Sequence, residues 1–153
     1  MNDSDILKVE AALGKHLPEE YKRVLASYPF GPDSFGTMCM LADSASTLIE
    51  MNKSPSFHSM LHPKATRSHP LPQDNFLWIG NDGGEEEYYL DLSRDPAPVM
   101  KFDLETGEFA QYAADIHDYV EKTRAIDREI EEDEKRAEER RRTAKWWQFW
   151  RKL

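Results

Sequence analysis

The chain has a single cysteine, Cys39, in 153 residues. One thiol excludes an internal disulfide and a clustered thiolate metal site, and it fits a reducing compartment. No apolar run approaches the roughly 20 residues that span a bilayer. The first residues, MNDSDILKVE, carry acids and lack the basic start and apolar stretch of a secretory signal. The expected location is therefore the cytoplasm. Internal repeats are absent as well.

Positive charge is scarce over most of the chain. Lys135 to Leu153 holds eight bases and two acids, a surplus of six, so the overall −9 leaves the first 134 residues at −15. An acidic body repels nucleic-acid phosphates and attracts basic proteins, whereas the tail does the reverse. The length is that of one ordinary domain with a real core.

Asp3 or Ser4 is placed to cap a first helix, with Ile6, Val9 and Leu13 on one stripe and Gly14 at its end. Pro18, Glu19 and Glu20 suit the start of a second helix that buries Tyr21, Val24, Leu25 and Tyr28 and stops at Pro29. Phe30 to Ser46 reads as a loop interrupted by a short strand at Met38-Cys39-Met40-Leu41. Thr47 to Met51 fits either a strand or a short helix, and Asn52 to Asp74 a long surface connection.

The centre of the sequence is FLWIGNDGGEEEYYLDL, Phe76 to Leu92. Phe76-Leu77-Trp78-Ile79 is too short for a helix and reads as a strand buried on both faces. Tyr88, Leu90 and Leu92 alternate with Tyr89 and Asp91, the period of a strand with one drier face. Asn81-Asp82-Gly83-Gly84 is a hairpin turn between them. Val99 to Leu104 and Phe109 to Tyr112 form a second hairpin. From Ala113 the period turns helical, with Ile116, Tyr119, Val120, Thr123, Ile126 and Ile130 facing inward. The fold class expected is α+β: N-terminal helices and a C-terminal helix packed on a mainly antiparallel sheet. The domain is expected to occupy residues 1–130. Residues 131–153 form a projecting charged helix with a Trp-rich basic tail, held by the Glu-first pairs Glu131 with Lys135, Glu132 with Arg136 and Glu138 with Arg142.

Leu13 to Gly31, LGKHLPEEYKRVLASYPFG, followed by FLWIGNDGGEEEYYLDL, resembles the SUKH superfamily of Smi/Knr-like domains. Leu17, Pro18 and Tyr21 match its "LP-x-x-Y/F" helix start. Ile79, Gly80, Gly83 or Gly84, Tyr88 or Tyr89, and Asp91 match its strand motif. The resemblance covers about Leu13 to Glu121. It implies a non-enzymatic binding protein, and for bacterial members an immunity protein that neutralises a toxin, often a nuclease. It supplies no catalytic residue.

Candidate sites follow from residue chemistry. Asp82, Glu85, Glu86, Glu87 and Asp91, with Asp95 and Asp103, cluster on the hairpins; they form either an ordinary solvated face or a negative patch for a basic active-site cleft. Tyr88 or Tyr89 would anchor such a contact, the other lying in the core. His58, His62 and His69 suggest a metal set, but His-Pro at 62–63 and 69–70 disfavours a shared helical face, so no metal is expected. The Gly80 to Gly84 loop lacks the Lys-Ser/Thr of a phosphate loop and precedes three acids, which leaves no cofactor call. Cys39 has no spacing to His16 or His58 that supports a nucleophile pair, and no acid/base set marks an enzyme. Trp146, Trp147, Phe149 and Trp150 cannot all face the domain. Three roles are open to them: docking on the body or a second copy, lodging at an anionic membrane, or binding a partner protein. The functional expectation is a toxin-neutralising immunity protein with an acidic contact surface. The alternative is a scaffold or regulator tethered peripherally at the inner membrane by its tail. Nothing in the sequence sets an oligomeric state.

Overall fold

The computed structural model describes residues 1–53 and 75–150, with residues 143–150 as backbone alone. Helix α1 (Asp3–Leu13) is capped by Asn2, whose Oδ1 accepts from Asp5 N at 2.9 Å, one residue earlier than expected. It buries Ile6 and Val9. Helix α2 (Glu19–Ala26) follows Pro18 and buries Tyr21, Val24 and Leu25. The two are clamped by Glu10, whose carboxylate accepts from Leu17 N at 2.9 Å and pairs with Lys22 Nζ at 2.8 Å.

The run Met38 to Leu41 is not a strand. Gly36–Met40 forms a π-helical turn closed by Leu41 N donating to Gly36 O at 3.0 Å. Interactions that local sequence does not encode hold it: Ala42 N donates to Ile79 O at 2.8 Å, Tyr119 Oη donates to Met40 O at 2.5 Å, and Gly36 N donates to Asp127. Helix α3 (Ala45–Lys53) resolves the ambiguity of Thr47 to Met51 in favour of helix. Asn52 secures it to the sheet edge, accepting from Trp78 N at 2.9 Å and donating to Trp78 O at 3.0 Å.

Strands β1 (Phe76–Asn81), β2 (Glu86–Asp91), β3 (Val99–Asp103) and β4 (Phe109–Ala113) form an antiparallel meander in the order β1-β2-β3-β4. The α+β class and both hairpins are as the sequence indicated. The β2 pattern is not. Tyr89 and Asp91 are buried along with Tyr88 and Leu90, so this strand has no wet face. On one side Tyr88, Tyr112 and Tyr119 pack with centroids 5.1 to 5.9 Å apart. On the other, Phe109 meets Phe76 at 5.1 Å, Phe102 at 6.2 Å and Tyr89 at 6.3 Å. Such ring pairs add to the burial of apolar area.

Helix α4 runs unbroken from Ile116–Trp150. Ile116, Tyr119, Val120 and Thr123 are buried and Ile126 is half-buried. Ile130, expected inward, is 39% exposed. Asp127 is the last side chain bonded to the domain, accepting from Gly36 N at 3.3 Å. No helix among the described residues is long and apolar enough to cross a membrane.

Candidate functional site

The β1–β2 turn is built by its own side chains. Asn81 Oδ1 accepts from Gly83 N at 2.7 Å, while Asp82 Oδ1 accepts from Gly84 N at 2.8 Å and Glu86 N at 3.0 Å. Gly83 sits at φ 77°, which a side chain rarely adopts. Gly80 is required for a different reason: a Cβ there would lie 1.8 Å from Met40 O. The Ile79-Gly80 pair therefore serves as the seat of the π turn, and Cys39 is brought against Gly83, 3.0 Å from where a Cβ would stand. Burial, then the nearby Asp82 charge, push the Cys39 thiol up. This is the opposite of what an activated nucleophile needs.

The two hairpin turns share one end of the sheet. Leu104 N donates to Glu85 O at 2.8 Å, locking the β3–β4 turn beside the β1–β2 turn. Asp103 Oδ1 accepts from Thr106 N at 2.8 Å and Glu105 N at 2.9 Å. The Thr106 amide, ahead of its other contacts, holds that carboxyl below its usual range, so it stays charged. Exposed Glu85, Glu105 and Glu108 and half-buried Asp82 and Asp103 make this end acidic. Lys101 opposes them chiefly through Glu86, whose Oε1 it reaches at 2.5 Å while Tyr88 Oη donates to Oε2 at 2.9 Å, and more weakly through Asp103. Next to Cys39, Met38 is 68% exposed, an apolar knob on an acidic rim.

Two of the five acids expected in a surface patch are elsewhere. Glu87 is 1% exposed, and its carboxylate accepts from Tyr89 Oη at 2.6 Å on the face of the sheet opposite the Tyr88–Tyr119 contact. Asp91 is 4% exposed at the far end of β2, about 17 Å from Glu86 at strand rise. It organises the β2–β3 loop, accepting from Ser93 N at 3.0 Å and Ser93 Oγ at 2.5 Å and pairing with Arg94 Nε at 3.0 Å. Tyr88 and Tyr89 are both core residues, so neither is an exposed anchor. Met38, Glu105 and Glu108 were missed. Their signal was weak, because only the docking of the π turn and of the second hairpin brings them to the same end.

At the opposite end, a cleft of about 730 Å³ opens between the start of α2, the β2–β3 loop and the start of α4. Its rim mixes His16, Glu20, Arg94, Asp95 and Asp115, so it presents no field of one sign. His58, His62 and His69 lie outside the described residues. Among the described residues no three His, Cys, Asp or Glu side chains converge as a metal would need. The side chains of Trp146, Trp147, Phe149 and Trp150 also lie outside the described residues, although the helical backbone reaches Trp150.

A helix-flanked antiparallel meander, with a π turn seated on a strand glycine and acidic hairpin turns at one end, defines the class: an α+β domain. The chain belongs to the SMI1 / KNR4 family (SUKH-1), whose model matches residues 1–122. The match begins at α1, earlier than the motifs alone indicated, and ends inside α4. Comparison with curated proteins and with solved structures gives no match.

Proposed function

We propose that this chain is an immunity protein that binds a cognate toxin inside the cell and covers its active site with the acidic end of the sheet. Family membership supports a protein partner, since bacterial SUKH domains commonly act in toxin systems. The charge of −15 on the first 134 residues favours a basic partner, and a nuclease cleft is basic by necessity. The observation that carries the reading is the locking of the two hairpin turns through Leu104 and Glu85, which gathers the acids at one end of the sheet; exposed Met38 stands on the π turn whose Cys39 meets Gly83 there. Charge then sets the association rate and selects the partner, and the apolar knob supplies an anchor that excludes water.

The test begins with the toxin encoded beside this chain. Its affinity is measured by calorimetry for the natural chain and for a variant carrying Glu85→Lys, Glu105→Lys and Glu108→Lys. These side chains are exposed, so the fold tolerates the change. Affinity should fall on the order of 100-fold or more, mostly through a slower on-rate that salt also slows. An unchanged affinity and salt slope would refute the acidic end as the contact. A neighbouring-toxin complex held by the mixed-charge cleft would relocate the site.

A further inference from the structure

We propose that the C-terminal end of α4 is a membrane-docking tip, held clear of the body by a stiff polar rod, and that its ligand is an anionic lipid surface. This stands independently of the toxin reading.

The rod comes first. Glu131 is the last residue of α4 to line a recess of the body, facing the loop Pro29 to Ser34. From Glu132 to Arg142 every residue is exposed except half-buried Ala137. The helix persists through this solvated stretch on ion pairs, Glu131 to Lys135 at 3.7 Å, Glu132 to Arg136 at 3.0 Å and Asp133 to Arg136 at 3.3 Å. At 1.5 Å per residue, Trp146 lies about 22 Å beyond Glu131 along the axis. A continuous helix of that reach cannot fold its end onto its own domain, which removes docking on the body from the roles open to the tail and leaves a second copy, a membrane or a partner protein.

The composition of the tip selects among the others. From Arg140 to Leu153 there are six bases, Arg140, Arg141, Arg142, Lys145, Arg151 and Lys152, and no acid. At 100° per residue, positions 146, 147, 149 and 150 fall within an arc of roughly 160°; of the bases before them, positions 140, 141 and 145 fall outside it and position 142 falls within it. A helix with large aromatic residues on one arc and most of its bases off that arc fits the interface of an anionic bilayer, where rings lie at headgroup depth and each base adds attraction. A second copy would bring together two tips of the same sign. A nucleic acid offers the bases a partner but gives an aromatic arc no apolar layer to enter. The −15 body does not oppose docking, because the rod exceeds the screening length of about 8 Å at physiological salt. The acids from Glu129 to Glu139 keep the rod itself off the surface.

The full chain is tested by flotation with vesicles of phosphatidylcholine containing about one third phosphatidylserine, and with phosphatidylcholine alone. The expected result is binding to the anionic vesicles at least about 10-fold tighter than to the neutral ones, with a blue shift of tryptophan emission. A variant with Trp146→Ser, Trp147→Ser, Phe149→Ser and Trp150→Ser should lose flotation. A variant with Arg140→Glu, Arg141→Glu and Lys145→Glu should lose at least about fivefold per base. Both should melt at the natural temperature, since the rod separates the tip from the core. Failure of the full chain to float, or equal flotation of the serine variant, overturns the proposal. So does a concentration-dependent dimer in sedimentation that the serine variant abolishes without any vesicle binding, which would assign the tip to a second copy. Tighter binding to an oligonucleotide than to vesicles would likewise overturn it.

Discussion

Two stretches of the same helix hold their shape by different means. Along the first two turns and more of α4, Ile116, Tyr119, Val120 and Thr123 recur every three or four residues and are buried. Beyond Glu131 the repeat gives way to charge, and the side chains of Glu132 and Arg136 are 64% and 63% exposed. Burying one large apolar side chain is worth about 1.5–3 kcal/mol, whereas a surface pair four residues apart adds about 0.2–0.5 kcal/mol. The packed stretch is therefore part of one cooperative unit with the sheet, and the rod is an appendage whose helix forms or frays with little consequence for it.

The comparison breaks most severely if the body can be unseated without touching the helix. Gly80→Ala does this: its Cβ would stand 1.8 Å from Met40 O and 2.4 Å from Met40 C, both main-chain atoms of the π turn, and neither can swing aside. Displacing that turn also strains the Tyr119 hydroxyl bond to Met40 O, which ties α4 to the body. Global stability should fall by about 3 kcal/mol or more in urea titration. A loss below about 1 kcal/mol would mean that the π turn is not seated as described.

How much of this was legible follows the same physics. The inner face of α4 and the Asn-Asp-Gly-Gly hairpin were readable because their periods and turn chemistry are local. The π turn was not: Met38-Cys39-Met40-Leu41 is a patternless apolar run, and its shape is imposed by Gly80 and Ile79, some 40 residues away in sequence. The acidic patch was half legible. Charge alone places Asp82 and Glu85 outward, but Asp91 is consumed by the loop it caps, and the local signal for that is the Asp91, Ser93, Arg94 spacing of a side-chain turn. Glu87 is not legible as buried, because its partner Tyr89 belongs to a second aromatic face of the sheet that only the strand pairing assembles.

A pH experiment sharpens the contrast between ion pairs in the two regions. In the body, Glu10 is 12% exposed and Lys22 23%, far less than any pair along the rod. The hydrogen bond from Lys22, then that from Leu17 N, hold the Glu10 carboxyl below its usual value. A carboxyl with a depressed folded pKa stabilises the protein fully above its unfolded value of about 4.3 and loses that contribution as pH falls through the lower folded value. Glu10→Gln should therefore cost about 1–2 kcal/mol at neutral pH, and its stability curve should converge on that of the natural chain in acid. Parallel curves down to the acid limit would show that the clamp acts by shape rather than by charge.

The smallest effect is the one that decides whether the rod is an appendage. A chain ending at Glu131 keeps every buried residue of α4, the Asp127 bond to Gly36 N and the whole sheet. From Glu132 to Arg142 it loses exposed positions and half-buried Ala137, whose ion pairs are screened by salt and whose helix propagates from the packed stretch rather than supporting it. The melting temperature of the body should move by no more than about 2 °C, while far-UV ellipticity falls in proportion to the helix removed. In the full chain, salt near 1 M should lower ellipticity slightly at constant melting temperature, because the Debye length there is about 3 Å and the rod's pairs stand alone in solvent. The two observables must separate. If truncation or salt lowered the melting temperature along with the ellipticity, the rod would be feeding stability into the core, and the two stretches of α4 would be a single folding unit after all.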